Sequence, residues 1–92
     1  MIYAGQGVHY AKAWPELKEL AELLEAPVTT SLEGKSAFPE NHALSLGSGG
    51  RTLPRAVALH VAESDLVLGV GASFTPTSYG INFPTKDKIF VH

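Results

Sequence analysis

The chain has 92 residues and a mass of 9.8 kDa, the size of one small domain rather than two. Hydrophobic residues make up 45% and charged residues 17%, a core-rich composition that excludes intrinsic disorder as the main state. Seven basic against nine acidic residues give a net charge of −2, which argues against general nucleic-acid binding. Cysteine is absent, so disulfides, thiolate metal sites and cysteine nucleophiles are excluded. No apolar run approaches the roughly 20 residues of a membrane helix, and we expect a cytoplasmic protein without membrane contact.

The first third of the chain predicts a strand, a helix and a second strand. Residues 1–4 are a short apolar run closed by the glycines of residues 5–7, which is typical of a buried strand that enters a tight turn. Leucines and alanines then recur at three- and four-residue steps, with glutamates on the other side, which predicts a helix. This helix begins near residues 11–14 and ends before Pro27, since a residue that precedes proline avoids helical geometry. The β-branched residues 28–31 predict the second strand.

The remainder predicts one more helix and several short strands. Residues 33–52 are rich in Gly, Ser, Pro and Asn, with only residues 43–46 suggesting a strand, and loops of this length are often functional. A helix over residues 53–63 follows, with Thr52 as its N-cap and Pro54 in its first turn. The last predicted elements are a strongly apolar strand at 66–70, a loop at 72–85 and a strand at 88–91.

Alternation of strands and helices predicts right-handed crossovers and a parallel sheet, and continuous apolar strands predict a sheet covered on both faces. The expected fold class is therefore a three-layer α/β Rossmann-like parallel sheet of the NAD/FAD-binding type. It occupies a single domain over residues 1–92 that looks incomplete at both ends. We expect strand 66–70 to lie beside strand 1–4. The expected core side chains are Leu17, Leu20, Leu24, Val28, Val57, Val61, Leu66 and Leu68.

Glycines follow two predicted strands at their carboxyl ends. Gly5 and Gly7 come after the first strand, and Gly69 and Gly71 frame the end of strand 66–70. If the second strand lies on the far side of the first, these glycines flank the point where strand order reverses, which is where doubly wound sheets bind ligands. A nucleotide-like ligand and a pair of tight turns explain the pattern about equally well.

Other motifs restrict the chemistry. A dinucleotide fingerprint needs a glycine where Tyr10 stands and an acidic residue near Thr30 and Ser31, so NAD binding is weakly supported. Residues 47–52 precede a predicted helix and could hold an anion, although a flexible loop explains them as well. The four histidines lack metal-ligand spacing, and no serine or acid belongs to a catalytic constellation.

Several segments, in chain order, resemble one enzyme family. They are residues 2–8, residues 20–31, residues 34–42 (Gly-Lys-Ser-Ala-Phe-Pro-Glu-Asn-His), residues 62–68 and residues 89–92. Their order and spacing resemble the central domain of thiamine diphosphate-dependent enzymes over essentially the whole chain. Within that family the sequence is most similar to acetolactate synthase large subunits and related carboligases and decarboxylases.

The resemblance implies a longer parent enzyme, a transferase or lyase of three α/β domains, in which thiamine diphosphate and Mg²⁺ are held outside this segment. The central domain would be a scaffold without catalytic residues, inactive in isolation. Its partners would be the remaining domains of the parent chain and further copies in a homo-oligomer. In different members this domain binds FAD, ADP or nothing. The implied cofactor-binding positions are Gly5, Gly7, Ser31, Leu32, Gly47, Gly71 and residues 72–77, among them Ala72, Ser73 and Phe74.

Two other functions remain open from the sequence. One is a free-standing small nucleotide-binding or regulatory module, and the other is a structural domain with an empty crevice. Flavin-binding members often carry an arginine just after the second glycine pair, whereas residues 72–77 contain no cation.

Overall fold

The fold is a five-stranded parallel sheet, seen in a computed structural model that describes residues 1–49, 54–74 and 88–92. Its elements in chain order are β1 (Ile2–Ala4), α1 (Gly7–Ala11), α2 (Trp14–Leu24), β2 (Val28–Thr30), β3 (Ser45–Ser48), α3 (Arg55–Glu63), β4 (Leu66–Val70) and β5 (Ile89–Val91). The strand order is β3-β2-β1-β4-β5, with all pairs parallel. Ile2 of the central strand β1 lies opposite Val28 of β2 and Leu68 of β4. The predicted pairing of strand 66–70 with the first strand is therefore confirmed.

Helices cover both faces of the sheet, which confirms the predicted three-layer Rossmann-like α/β fold. Successive residues of β1 point to opposite faces, so Ile2 and Ala4 belong to one core and Tyr3 to the other. The first core adds Val8, Leu17, Ala21, Val28, Ala37 and Phe38, and the second adds Val57, Val61, Val67 and Ala72. The sheet thus holds α1 and α2 on one side and α3 on the other.

The longest described helix is α2, and it forms where the sequence predicts it. Pro15 occupies the first turn, where its missing N–H would have had no helical partner. Glu25 ends the helix with φ of 50°, and its N–H donates to the last-turn carbonyls of Ala21 and Glu22. At eleven residues α2 is too short to cross a membrane, and no other described helix is long and apolar enough to do so.

The prediction of a core position is wrong for two of the eight side chains. Leu24 is 54% exposed, because it is the last residue of α2 and the buried residues of this helix are Leu17 and Ala21. Leu66 is 40% exposed. It is the first residue of β4, and the core on its face of the sheet lies mainly over β1 and β2. The other six are buried or half-buried, as predicted.

The predicted bounds of the first two loops also need correction. Residues 5–7 do not form an isolated turn but lead directly into the short helix α1, which ends at Ala11 and is capped by Lys12 with φ of 53°. β3 begins two residues later than the predicted strand at 43–46. The delay arises because residues 39–45 first form two turns, in which the N–H of His42 donates to Pro39 and that of Ser45 donates to His42.

The helix α3 begins later than predicted. Pro54 precedes the helix in extended geometry, with φ of −55° and ψ of 149°, instead of lying inside the first turn. The first helical hydrogen bond runs from the N–H of Ala58 to the carbonyl of Pro54 at 3.0 Å. The predicted N-cap Thr52, and Leu53 after it, lie outside the described residues.

Candidate functional site

The strand order reverses between β1 and β4. From β1 the chain moves outward through β2 to β3, then returns to place β4 and β5 on the other side. Because all strands are parallel, the residues that follow β1, β2 and β4 meet at one edge of the sheet, where doubly wound folds bind ligands. We call this the switch-point edge. It brings together the predicted site residues Gly5, Gly7, Ser31 and Gly71.

The glycines of the two strand ends pack against each other, backbone to backbone. The N–H of Gly5 donates to Val70 at 3.0 Å, and that of Gly7 donates to Gly71 at 2.9 Å. A Cβ atom added to Gly5 would lie 2.5 Å from the Gly71 oxygen, and one added to Gly7 would lie 2.8 Å from the Gly71 Cα. These contacts leave no room for side chains. The fold itself therefore accounts for the glycines, with or without a ligand.

A third glycine, Gly34, closes the same strand end from the other side. A Cβ atom on Gly34 would lie 2.8 Å from the Ala4 oxygen and 2.9 Å from the Gly5 Cα. Sequence reasoning included Gly34 only as part of a family segment and gave it no place in the site. Its contact partners stand some thirty residues earlier in the chain, so no local pattern could reveal them.

Residues 31–38, which we call the rim loop, leave the carboxyl end of β2 and border the switch-point edge. The N–H of Ser31 donates to Ala4 at 2.9 Å, and its hydroxyl accepts the N–H of Gly34 at 3.0 Å. Leu32 is 51% exposed beside it. Phe38 at the far end is only 2% exposed and anchors the rim loop in the core beneath α1 and α2.

Gly47 lies apart from the other glycines. It belongs to β3, and its carbonyl accepts a hydrogen bond from the Thr29 hydroxyl at 2.8 Å. Strand β2 separates it from the reversal between β1 and β4. Its φ of 81° favours glycine, yet a Cβ atom there would meet nothing within 4 Å. Residues 50–52 of the predicted anion-binding loop lie outside the described residues.

In the segment after β4, Ala72 lies at the switch-point edge and Phe74 belongs to an aromatic cluster. Ala72 is buried against Gly5, and its carbonyl lies 2.5 Å from Nε2 of His92. Ser73 is exposed. The Phe74 ring lies over Gly69, and its centroid is 5.9 Å from that of Tyr3 and 5.4 Å from that of Phe90. Residues 75–77, also predicted for the site, lie outside the described residues.

The switch-point edge exposes both uncharged side chains and, in the bordering rim loop, the charged side chains of Glu33 and Lys35. Gln6 presents an amide and Leu32 an aliphatic group to solvent. Such groups could contact the uncharged base and ribose of a nucleotide.

Three described ionisable groups have shifted pKa values, each with a structural cause. Burial, helped by the negative charge of Glu33, raises the pKa of Tyr3. The hydrogen bond from Lys18, whose Nζ is 3.0 Å from the carboxylate, lowers the pKa of Glu22. Burial also lowers the pKa of the Met1 amino group, which donates to the carbonyl of Leu66 at 3.0 Å. Among the described residues, no three His, Asp or Glu side chains are placed to hold a metal ion.

Residues 1–92, the whole chain, match the family described as thiamine pyrophosphate enzyme, central domain. The chain belongs to this family. The central-domain match agrees with the fold, whose open parallel sheet is covered by helices on both faces. It also confirms the family resemblance found in the sequence.

Several full-length relatives contain a segment similar to this central domain. The chain is 41% identical over 93 residues to the probable acetolactate synthase large subunit of Methanocaldococcus jannaschii, covering 100% of the chain and 16% of the relative. It is 45% identical over 74 residues to the acetolactate synthase large subunit of Parasynechococcus marenigrum, which covers 80% of the chain and 12% of the relative. It is 40% identical over 75 residues to 3D-(3,5/4)-trihydroxycyclohexane-1,2-dione hydrolase 2 of Bacillus cereus, which covers 82% of the chain and 12% of the relative. The chain thus spans no more than about one sixth of these relatives, and their names cover two different reactions.

Proposed function

We propose that this chain is the central, non-catalytic domain of a longer thiamine diphosphate-dependent carboligase or decarboxylase of the acetolactate synthase type. The observation that carries the proposal is the match of the entire chain to the central-domain family, with 41% identity to an acetolactate synthase relative. In this proposal thiamine diphosphate and Mg²⁺ bind to other parts of the parent. The partners of the domain are the remaining domains and, in a homo-oligomer, a second parent chain.

The internal bonding of the chain supports a scaffold role. Every buried side-chain nitrogen or oxygen among the described residues has a hydrogen-bond partner. The buried threonines of β2 illustrate this, since Thr29 bonds to the carbonyl of Gly47 and Thr30 bonds to the hydroxyl of Ser48, each at 2.8 Å. Polar groups satisfied within the fold stabilise one arrangement of the sheet, which is the property a positioning domain needs.

The test compares the 92-residue chain with the product of the complete reading frame that encodes it. Pyruvate consumption is measured with and without thiamine diphosphate and Mg²⁺. We expect thiamine diphosphate-dependent turnover by the complete product and none by the 92-residue chain. Turnover by the chain alone would overturn the scaffold role. A reading frame that ends with this chain would favour the free-standing nucleotide-binding or regulatory module instead.

A finer proposal is that the switch-point edge binds FAD or ADP. It is supported by the position of the edge at the strand-order reversal and by the exposed uncharged side chains of Gln6 and Leu32. A structural domain with an empty edge is the competing proposal, because the packing of Gly5, Gly7 and Gly71 already explains those residues.

Binding of FAD and of ADP to the complete product is measured by titration calorimetry. Leu32→Asp places a negative charge beside the edge, and since Leu32 is 51% exposed the fold should tolerate it. Leu23→Asp is the matched control, because Leu23 is 79% exposed on α2. We expect at least a tenfold loss of affinity in the first variant only. Binding of neither ligand by the wild type would support the empty edge.

A further inference from the structure

His9, on α1, contacts a different element through each of its ring nitrogens. The indole Nε1 of Trp14, the first residue of α2, donates to His9 Nδ1 at 2.9 Å. On the other side of the ring, Nε2 lies 2.8 Å from the carbonyl oxygen of Lys35 in the rim loop. The half-buried imidazole therefore joins the junction of α1 and α2 to the rim loop.

The partners of the ring define its protonation state. An indole N–H can only donate, so His9 Nδ1 must accept and cannot carry a proton. A carbonyl oxygen can only accept, so the proton must sit on Nε2 and point at Lys35. Both bonds exist together in the neutral Nε2–H tautomer alone.

We infer that His9 is a pH-sensitive latch that fastens the rim loop to the α1–α2 junction when neutral and releases Trp14 when protonated. A proton added to Nδ1 would bring two N–H donors face to face at 2.9 Å, so the bond to Trp14 is lost and one of the two rings must move. Histidine is the side chain that ordinarily changes charge between about pH 5 and pH 8. The inference rests on this geometry and is independent of the proposed function.

No carboxylate among the described residues is paired with the His9 ring. The ionisable side chains nearest in sequence to the three contacting residues are Tyr10 on α1, Lys12 at its C-cap, Glu16 in the first turn of α2, and Glu33 and Lys35 in the rim loop. In the described part of the chain His9 forms no ion pair with either carboxylate. The protonated form therefore loses a hydrogen bond and gains no salt bridge.

Release of the latch would be local. The rim loop keeps its anchor at Phe38, which is buried in the core, and its contact between Gly34 and β1. The bond between Ser31 and Ala4 also remains. We therefore expect acid to change the surroundings of Trp14 while the sheet stays folded.

Trp14 is the only tryptophan of the sequence, so the fluorescence of the 92-residue chain reports this contact directly. We expect its emission to change as the pH is lowered from about 8 to about 5, with unchanged far-UV circular dichroism. His9→Gln keeps a neutral side chain that can both accept and donate, and it should abolish the transition. His60→Gln is the matched control, since the His60 ring bonds to Ala56 within α3, and it should retain the transition.

Two results would overturn the latch. One is a wild-type emission that stays constant over this pH range, or a transition that persists in His9→Gln. The other comes from the imidazole ¹⁵N shifts of wild-type His9 near pH 8, which must show a protonated Nε2 and a bare Nδ1. The opposite tautomer would refute the inference even if His9→Gln failed to fold.

Discussion

Gly47 and Gly71 both have left-handed backbone geometry, with φ of 81° and 60°, but their surroundings differ. A Cβ atom on Gly47 meets open space, whereas one on Gly71 would lie 2.7 Å from the backbone nitrogen of Val8. Gly47→Ala should therefore cost only the strain of left-handed geometry, about 1–2 kcal/mol. Gly71→Ala should cost about 1–3 kcal/mol more, because overpacking adds to the strain. Urea unfolding of the two variants checks this, and equal losses would contradict the close packing of the strand ends.

Tyr3 should make the fold sensitive to alkali. Its pKa is raised above the ordinary 10.0, mainly by burial, so the folded state favours the neutral phenol. This stabilisation is fully present below the ordinary pKa and is lost as the pH rises through the folded pKa. Urea unfolding between about pH 9 and pH 11 should show a steeper loss of stability in the wild type than in Tyr3→Phe. Tyr10→Phe is the control, since Tyr10 is 78% exposed, and it should follow the wild type. Parallel curves for wild type and Tyr3→Phe would refute the assignment.

At the scale of elements, α2 carries two leucines that look equivalent in the sequence but differ in burial. Leu17 is 2% exposed, and Leu24, almost two turns later on the same side, is 54% exposed. Leu17→Ala should reduce the free energy of unfolding by about 2–5 kcal/mol, because it opens a cavity in the core. Leu24→Ala should cost well under half as much. Thermal or urea unfolding of the two variants measures the difference, and similar losses would mean that the end of α2 is buried.

How far the sequence predicts these elements depends on how local their causes are. The helix α2 and the strands β1, β2 and β4 follow from apolar spacing and from Pro27, all of which are visible within a short window. The start of β3 depends on turns around His42, and the exposure of Leu66 depends on which strands the helices cover. Those causes involve distant parts of the chain.

The same limit applies to the candidate site. Strand-end glycines indicate the switch-point edge, and the order β2-β1-β4 confirms that Gly5, Gly7 and Gly71 meet there. The role of Gly34 and the hydrogen bonds of His9 could not be predicted, because both join the rim loop to earlier elements.

At the scale of the whole molecule, three apolar side chains on β4 and β5 form an exposed face. Leu66, Ile89 and Val91 are 40%, 63% and 44% exposed, and Leu66 lies opposite Ile89 in the sheet. Exposed apolar faces beside a strand edge promote association. We therefore expect the 92-residue chain to form dimers at high concentration, measured by sedimentation equilibrium.

Two charge substitutions test whether this face is responsible. Ile89→Lys should shift the chain toward the monomer, since it places a solvated charge in the middle of the face. Leu23→Lys is the control, because Leu23 is more exposed but lies on α2, and it should leave the dimer unchanged. A wild-type chain that stays monomeric at the highest loading would contradict the prediction.

The central position of β1 has a consequence for how the fold is made. Ile2 pairs with Val28 on one side and with Leu68 on the other, a partner more than twice as far along the chain. Each doubling of the intervening length adds about 0.6 kcal/mol to the entropy cost of closure, and pairing across long separations is slow. Pairing of β1 with β2 therefore costs less loop entropy than pairing of β1 with β4. While β1 is paired with β2 alone, the other edge of the central strand is bare, together with the glycine backbone that Gly71 covers in the complete sheet.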